Sequence, residues 1–181
     1  MHSATVLHSN KTITEKKIML IAEITKKMIA FYAGAMHDIR HFLKVYAYAK
    51  TIGELEGLSQ EDQRILEIAA IVHDIPCPLC REKYGNAGGR HQEAEGPALA
   101  REFLQEFELS EAEIGRVCWL VGHHHTITDV DGADHRILLE ADYLVNADEH
   151  GWPRENIEGA LESIFRTKSG TALLKDIYLR S

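Results

Sequence analysis

Apolar residues recur along this chain at helical spacing. Ile65-Leu66-Glu67-Ile68-Ala69-Ala70-Ile71-Val72 reads as a buried helix, Ile114, Val117, Cys118 and Val121 share one helical face, and Ile137-Leu138-Leu139 through Ala141, Leu144 and Val145 form another. No run has the period of a strand. The spacing predicts helices over about 12–33, 38–56, 60–74, 93–107, 111–124 and 134–149, then shorter ones near 153–166 and 170–179. Ser59 before Glu61 and Asp62, Ser110 with Glu113, and Asp134 after Gly132 are start signals for three of them. The expected fold class is all-α, a single compact unit of about six to eight helices. Within it, 1–35 is a helical extension packed on the core, 36–150 the central domain, and 151–181 C-terminal helices of the same unit. The segment Ile75 to Gln92 reads as the one long irregular stretch. Its Gly85, Gly88 and Gly89 suit either a substrate lid whose backbone approaches a phosphate or a flexible turn.

Composition narrows the function. A formal net charge of -8 at pH 7 argues against a nucleic-acid polymer as partner, because phosphate-backbone affinity needs clustered Lys and Arg. A small anionic substrate stays allowed. Arg40, Arg81, Lys83 and Arg90 are the cations nearest the candidate site in sequence, and Arg40 and Lys83 are the residues expected to meet substrate. The first ten residues lack a signal-peptide pattern and no stretch is long enough to span a membrane, so a cytoplasmic protein without a membrane partner is expected. Cys77-Pro78-Leu79-Cys80 has zinc-knuckle spacing without a second pair to complete it, and with Cys118 it reads as reduced thiols. Asp129 to Asp134 lacks the ligand order of a calcium loop and reads as a turn. Trp152-Pro153 and Ile164-Phe165 read as packing surfaces, with a homo-oligomer left open. His2, His8, His135 and His150 read as surface residues.

The candidate chemistry starts at His73-Asp74, at the end of the apolar run and closed off by Pro76. Pro disfavours helical geometry at the residue before it, so the pair belongs in the last turn of a buried helix. An ionised Asp buried without a partner costs several kcal/mol, roughly, so something must compensate it. Asp142, bracketed on the helical wheel by Leu138 and Leu139 in another apolar helix, is a second buried acid. His41 stands upstream, although helical periodicity does not put it on the apolar face of its helix. The similar pair His37-Asp38 reads as structural, with Asp38 a helix N-cap. In Gly122-His123-His124-His125, a continued helix puts His124 and His125 on the apolar face and turns His123 away, which makes His124 the first choice as a ligand.

The order His41, His73-Asp74, Asp142 resembles the HD superfamily of metal-dependent phosphohydrolases, whose motif is H…HD…D on an all-helical domain; Ala69 to Ile75 resembles its central signature. The resemblance covers roughly 36 to 150. It implies one or two divalent transition metal ions (Mn, Fe, Co, Ni or Zn) held by His41, His73, Asp74 and Asp142, with His124 and His91 on a second ion. It also implies Asp74 as the catalytic group orienting the attacking water, and a small phosphorylated substrate such as a nucleotide. Cys77 and Pro78 stand where one subgroup places a Lys, so Lys83 is the substitute and that subgroup's cyclic-dinucleotide chemistry does not transfer directly. Two rival classes stay open: a di-iron oxygenase of the same superfamily, and a non-catalytic nucleotide- or metal-sensing HD domain.

Overall fold

The computed structural model describes residues 19–180. Among them the chain forms nine α-helices and no strand: α1 (19–32), α2 (Met36–Glu56), α3 (Gln60–Val72), α4 (Cys77–Tyr84), α5 (Gly89–Leu104), α6 (Glu111–Val121), α7 (Gly132–Glu149), α8 (Arg154–Ser163) and α9 (Lys168–Leu174), the last running into a π-helical turn, Lys175–Leu179. The all-α expectation holds. The start of the helix expected from residue 12, and His2 and His8, lie outside the described residues.

α3 is the centre of the fold. Every residue from Ile65 to Val72 is buried, because α2, α6 and α7 surround it and leave no solvent side. Ser59 caps its start by accepting the Asp62 backbone N–H at 3.1 Å. α7 is nearly as enclosed, with Ile137 to Asp142 all buried. α1 adds Ile24, Met28 and Tyr32 to the same core, and Phe165 and Leu174 close it from the C-terminal side.

The segment after Asp74 departs from expectation. Residues 77–84 form α4, and the irregular part shrinks to a short connection before Gly89. Pro78 lies in the first turn, where its missing N–H costs no helical bond, so it starts a helix here. Gly85 ends that helix with φ 73°, a left-handed conformation that favours glycine. The loop expected to act as a lid is therefore a helix, tied to α2 by Arg81, which donates to both carboxylate oxygens of Asp38 at 3.0 and 2.5 Å. Asp38 is not the N-cap of α2; that position is Ala35, and Asp38 sits in the first turn.

His135 also departs from expectation. It is fully buried; its Nε2–H donates to the His123 carbonyl at 2.8 Å, and its Nδ1 accepts the Asp131 N–H at 3.2 Å. The turn expected at Asp129 to Asp134 ends at Asp131, since Asp134 already lies in the first turn of α7, and Asp131 and Asp134 are both paired to Arg116. His150 is exposed, as expected.

Candidate metal centre

Three helices and one turn meet at one point. His41 comes from α2, His73 from the C-cap of α3, Asp74 from the turn that follows, and Asp142 from α7. His41 is buried because the covered stripe of α2 is wide, packing against α3 on one side and α7 on the other. Its Nε2 lies 3.3 Å from His73 Nε2, 3.2 Å from Asp142 Oδ1 and 3.4 Å from Asp74 Oδ2. His73 Nε2 is 3.5 Å from Asp142 Oδ1 and 3.6 Å from Asp74 Oδ2.

Each imidazole in this cluster has its far nitrogen occupied. His41 Nδ1–H donates to Glu149 Oε2 at 2.8 Å, and Lys44 holds the other Glu149 oxygen at 2.7 Å. His73 Nδ1–H donates to the Ala70 carbonyl at 2.9 Å, and His124 Nδ1–H to the Val121 carbonyl at 2.7 Å. These bonds fix the ring orientations and the neutral tautomers, so each imidazole in its neutral form turns an Nε2 lone pair inward. Lone pairs and carboxylate oxygens packed together need a positive charge between them. Such a donor set fits a divalent cation: two imidazoles and two carboxylates brought together from three segments of the chain.

A second group lies beside the first. Asp74, His124 and His125 bring ligand atoms within 4.8 Å of one another, as His41, His73 and Asp142 do. Asp74 divides its oxygens between the two, with Oδ1 3.5 Å from His124 Nε2 and Oδ2 toward His41 and His73. Gln92 completes this side. Its amide N–H donates to the Ala87 carbonyl at 2.7 Å, which turns Oε1 inward, 3.1 Å from His124 Nε2 and 3.2 Å from His125 Nε2.

The electrostatics agree with this picture. Burial pushes both Asp carboxyls up, but the neighbouring histidines outweigh it, so Asp74 and Asp142 are held below the ordinary carboxylate range and stay ionised. Burial pushes His41 down, yet its bond to Asp142, the charges of Asp74 and Asp142 and the bond to Glu149 together lift it to about 9. Burial and the neighbouring His124 lower His125 to about 4, so it is neutral at physiological pH and able to offer a lone pair.

Some expected residues fall outside. His91 stacks flat on Tyr84, with ring centroids 4.0 Å apart, and belongs to neither ligand group. Because α5 begins at Gly89, Gln92 and not His91 faces inward. Lys83 is exposed and paired to Glu95 at 2.6 Å, and Arg40 is exposed. His123 turns away and stacks on Trp119, as its periodicity implied, while His125 joins His124 in the second group. Cys77 and Cys80 are buried free thiols. Sequence reasoning missed Glu149 and Gln92. Glu149 lies seven residues, two helical turns, after Asp142 on the same face of α7, and that spacing is the signal that marks it.

An all-helical domain holding one buried His/Asp ligand group, with a second and partly exposed one beside it, defines the class. The HD domain family model matches residues 38–148, and the chain belongs to that family. Among solved structures it is similar to a predicted HD superfamily hydrolase from an uncultured Thermotogales bacterium, with a TM-score of 0.62 and 22% identity over 88% of this chain and 83% of the other. No match was found among curated proteins.

Proposed function

We propose that this protein is a metal-dependent phosphohydrolase that cleaves a small phosphate ester. The observation that carries the reading is Asp74, whose two carboxylate oxygens face two adjacent ligand groups. His41, His73, Asp74 and Asp142 would hold one ion, and Asp74, His124 and His125 a second. A divalent cation held by these residues would supply Lewis-acid chemistry, making water more acidic and offsetting phosphoryl charge. Asp74 accepts a hydrogen bond from the attacking water and aims its oxygen at phosphorus. As the new P–O bond forms, the attacking water gives up one proton to solvent, and the ester P–O bond breaks with its electron pair leaving on the alcohol oxygen, which takes up a proton from solvent. Glu149, through His41, and the carbonyls of Ala70 and Val121 hold the imidazoles still during the reaction.

The test couples elemental analysis of the purified protein to a phosphate-release screen over nucleotides and small phosphomonoesters. Asp74→Ala is expected to abolish both bound metal and turnover. Full activity in that variant refutes the assignment. The second ligand group, with two histidines, also favours one rival, a di-iron oxygenase. Iron content with a visible absorption band and oxygen consumption, in place of phosphate release, would select it.

A further inference from the structure

Beside the two ligand groups lies a chamber of about 280 Å³, near the lower end of the ~300 Å³ and upward typical of small-ligand pockets. Asp142, His124 and His125 form its inner end. Tyr143, Trp152 and Ile164 make the wall, and Ile127, 45% exposed, stands at the rim. The wall is rigid: the Tyr143 hydroxyl donates to the Asn156 carbonyl at 2.9 Å, and its ring lies 4.9 Å from Trp152 and 5.7 Å from Phe165. Asn146 also lines the chamber, and its side-chain amide has no hydrogen-bond partner among the described residues. It follows Asp142 by one helical turn, roughly 6 Å along the axis.

Charge is the second observation. No Lys or Arg lines the chamber, and its one charged residue is the acidic Asp142. Lys44 is paired with Glu149, Arg81 with Asp38, Lys83 with Glu95, and Arg136 with the Ile164 carbonyl at 2.7 Å, while Arg40 and Arg90 are exposed and outside the chamber lining. A second phosphate or a carboxylate on the substrate would enter this space without a partner.

We infer that this chamber is the leaving-group pocket and selects the monophosphate ester of an uncharged alcohol carrying one flat ring, with Trp152 as the stacking face and Asn146 as the hydrogen-bonding edge. The inference rests on the phosphohydrolase reading. Trp152 and Asn146 are specificity residues, since they meet the leaving group and not phosphorus. The distance of one helical turn between Asp142 and Asn146 limits the alcohol to about the span of a single ring system.

The experiment compares metal-loaded protein on phenyl phosphate, methyl phosphate, 3-phosphoglycerate and nucleoside mono-, di- and triphosphates. Ring-bearing monophosphates are expected to exceed the triphosphates and the phosphoglycerate at least about tenfold in kcat/KM, as expected when a buried charge is left unpaired. Trp152→Ala should raise KM for phenyl phosphate about five- to tenfold, the loss expected for one aromatic face, with kcat and the methyl phosphate KM unchanged. A separate readout uses phenylphosphonate, which is not hydrolysed. In a Trp119→Phe background it should quench the fluorescence of Trp152, the remaining tryptophan, and Asn146→Ala should leave that quenching intact while weakening nucleoside monophosphates. Triphosphates or phosphoglycerate used as well as ring monophosphates, or an equal KM change for phenyl and methyl phosphate, overturns the pocket assignment. Quenching by phenylphosphonate without phosphate release from any ester supports the pocket and overturns the hydrolase reading alone.

Discussion

Replacing Glu149 by Gln tests whether the bonds behind the ligands set metal affinity. Glu149 accepts the His41 Nδ1–H at 2.8 Å and is itself paired to Lys44 at 2.7 Å. Glutamine keeps the shape and an acceptor oxygen but loses the charge. A hydrogen bond to a charged group contributes about 1.5–3 kcal/mol against about 0.5–1.5 kcal/mol for a neutral one, so the change removes roughly 1–1.5 kcal/mol. That is about tenfold in a dissociation constant, at the lower end of the 10–100-fold cost typical of changes behind a metal ligand. Lys44 is left half-exposed and loses little. The pH dependence adds a further check. The Glu149 bond is one of the causes that raise His41 to about 9, and below that pH a proton competes with metal for the same nitrogen. Losing the carboxylate weakens this proton as well as the metal, so the deficit is partly masked at pH 7 and grows towards pH 9. A chelator competition assay on wild type and Glu149→Gln at both pH values measures it. Equal affinity of the two proteins at both would refute the argument that Glu149 tunes this site.

Two further outcomes concern the frame around the site. His135 is buried with its neutral form satisfied at both nitrogens, and burial lowers its pKa. The unfolded chain therefore binds its proton more readily, and stability is lost as pH falls from about 6.5 toward the lower folded value. Denaturation curves between pH 5 and 8 should show a shallower acid slope for His135→Gln than for wild type; an unchanged slope would count against it. Gly96 allows α5 to approach the end of α6: a Cβ there would lie 2.6 Å from Val121 Cγ1 and 3.4 Å from Pro76 Cγ. Gly96→Ala gains about 1 kcal/mol of helix propensity but incurs about 1–3 kcal/mol of overpacking. A lowered melting temperature is expected, and a raised one would show that Val121 yields.

The helices were legible because burial repeats with their period, and His73, Asp74 and Asp142 stood out because acids and an imidazole interrupt apolar surface that nothing else explains. His41 was harder. Its burial comes from the junction of α2 with both α3 and α7, and no single helix shows how wide its covered stripe will be. His91 and Gln92 differ by one residue, and the choice between them rests on where α5 begins, since each step along a helix turns the side chain by about 100°. α4 was hidden because Pro and Gly read as breakers, although Pro is tolerated at a helix start and Gly at its end.

The amino-acid order alone determined an all-helical chain and four of its ligand candidates, His73, Asp74, His124 and Asp142, because period and polarity are local properties. Which side chains share a cation, which carbonyls fix their tautomers, and which cations are already paired were decided by packing. Those are contacts between segments a hundred residues apart, such as His41 with Asp142, and only the folded chain brings them together.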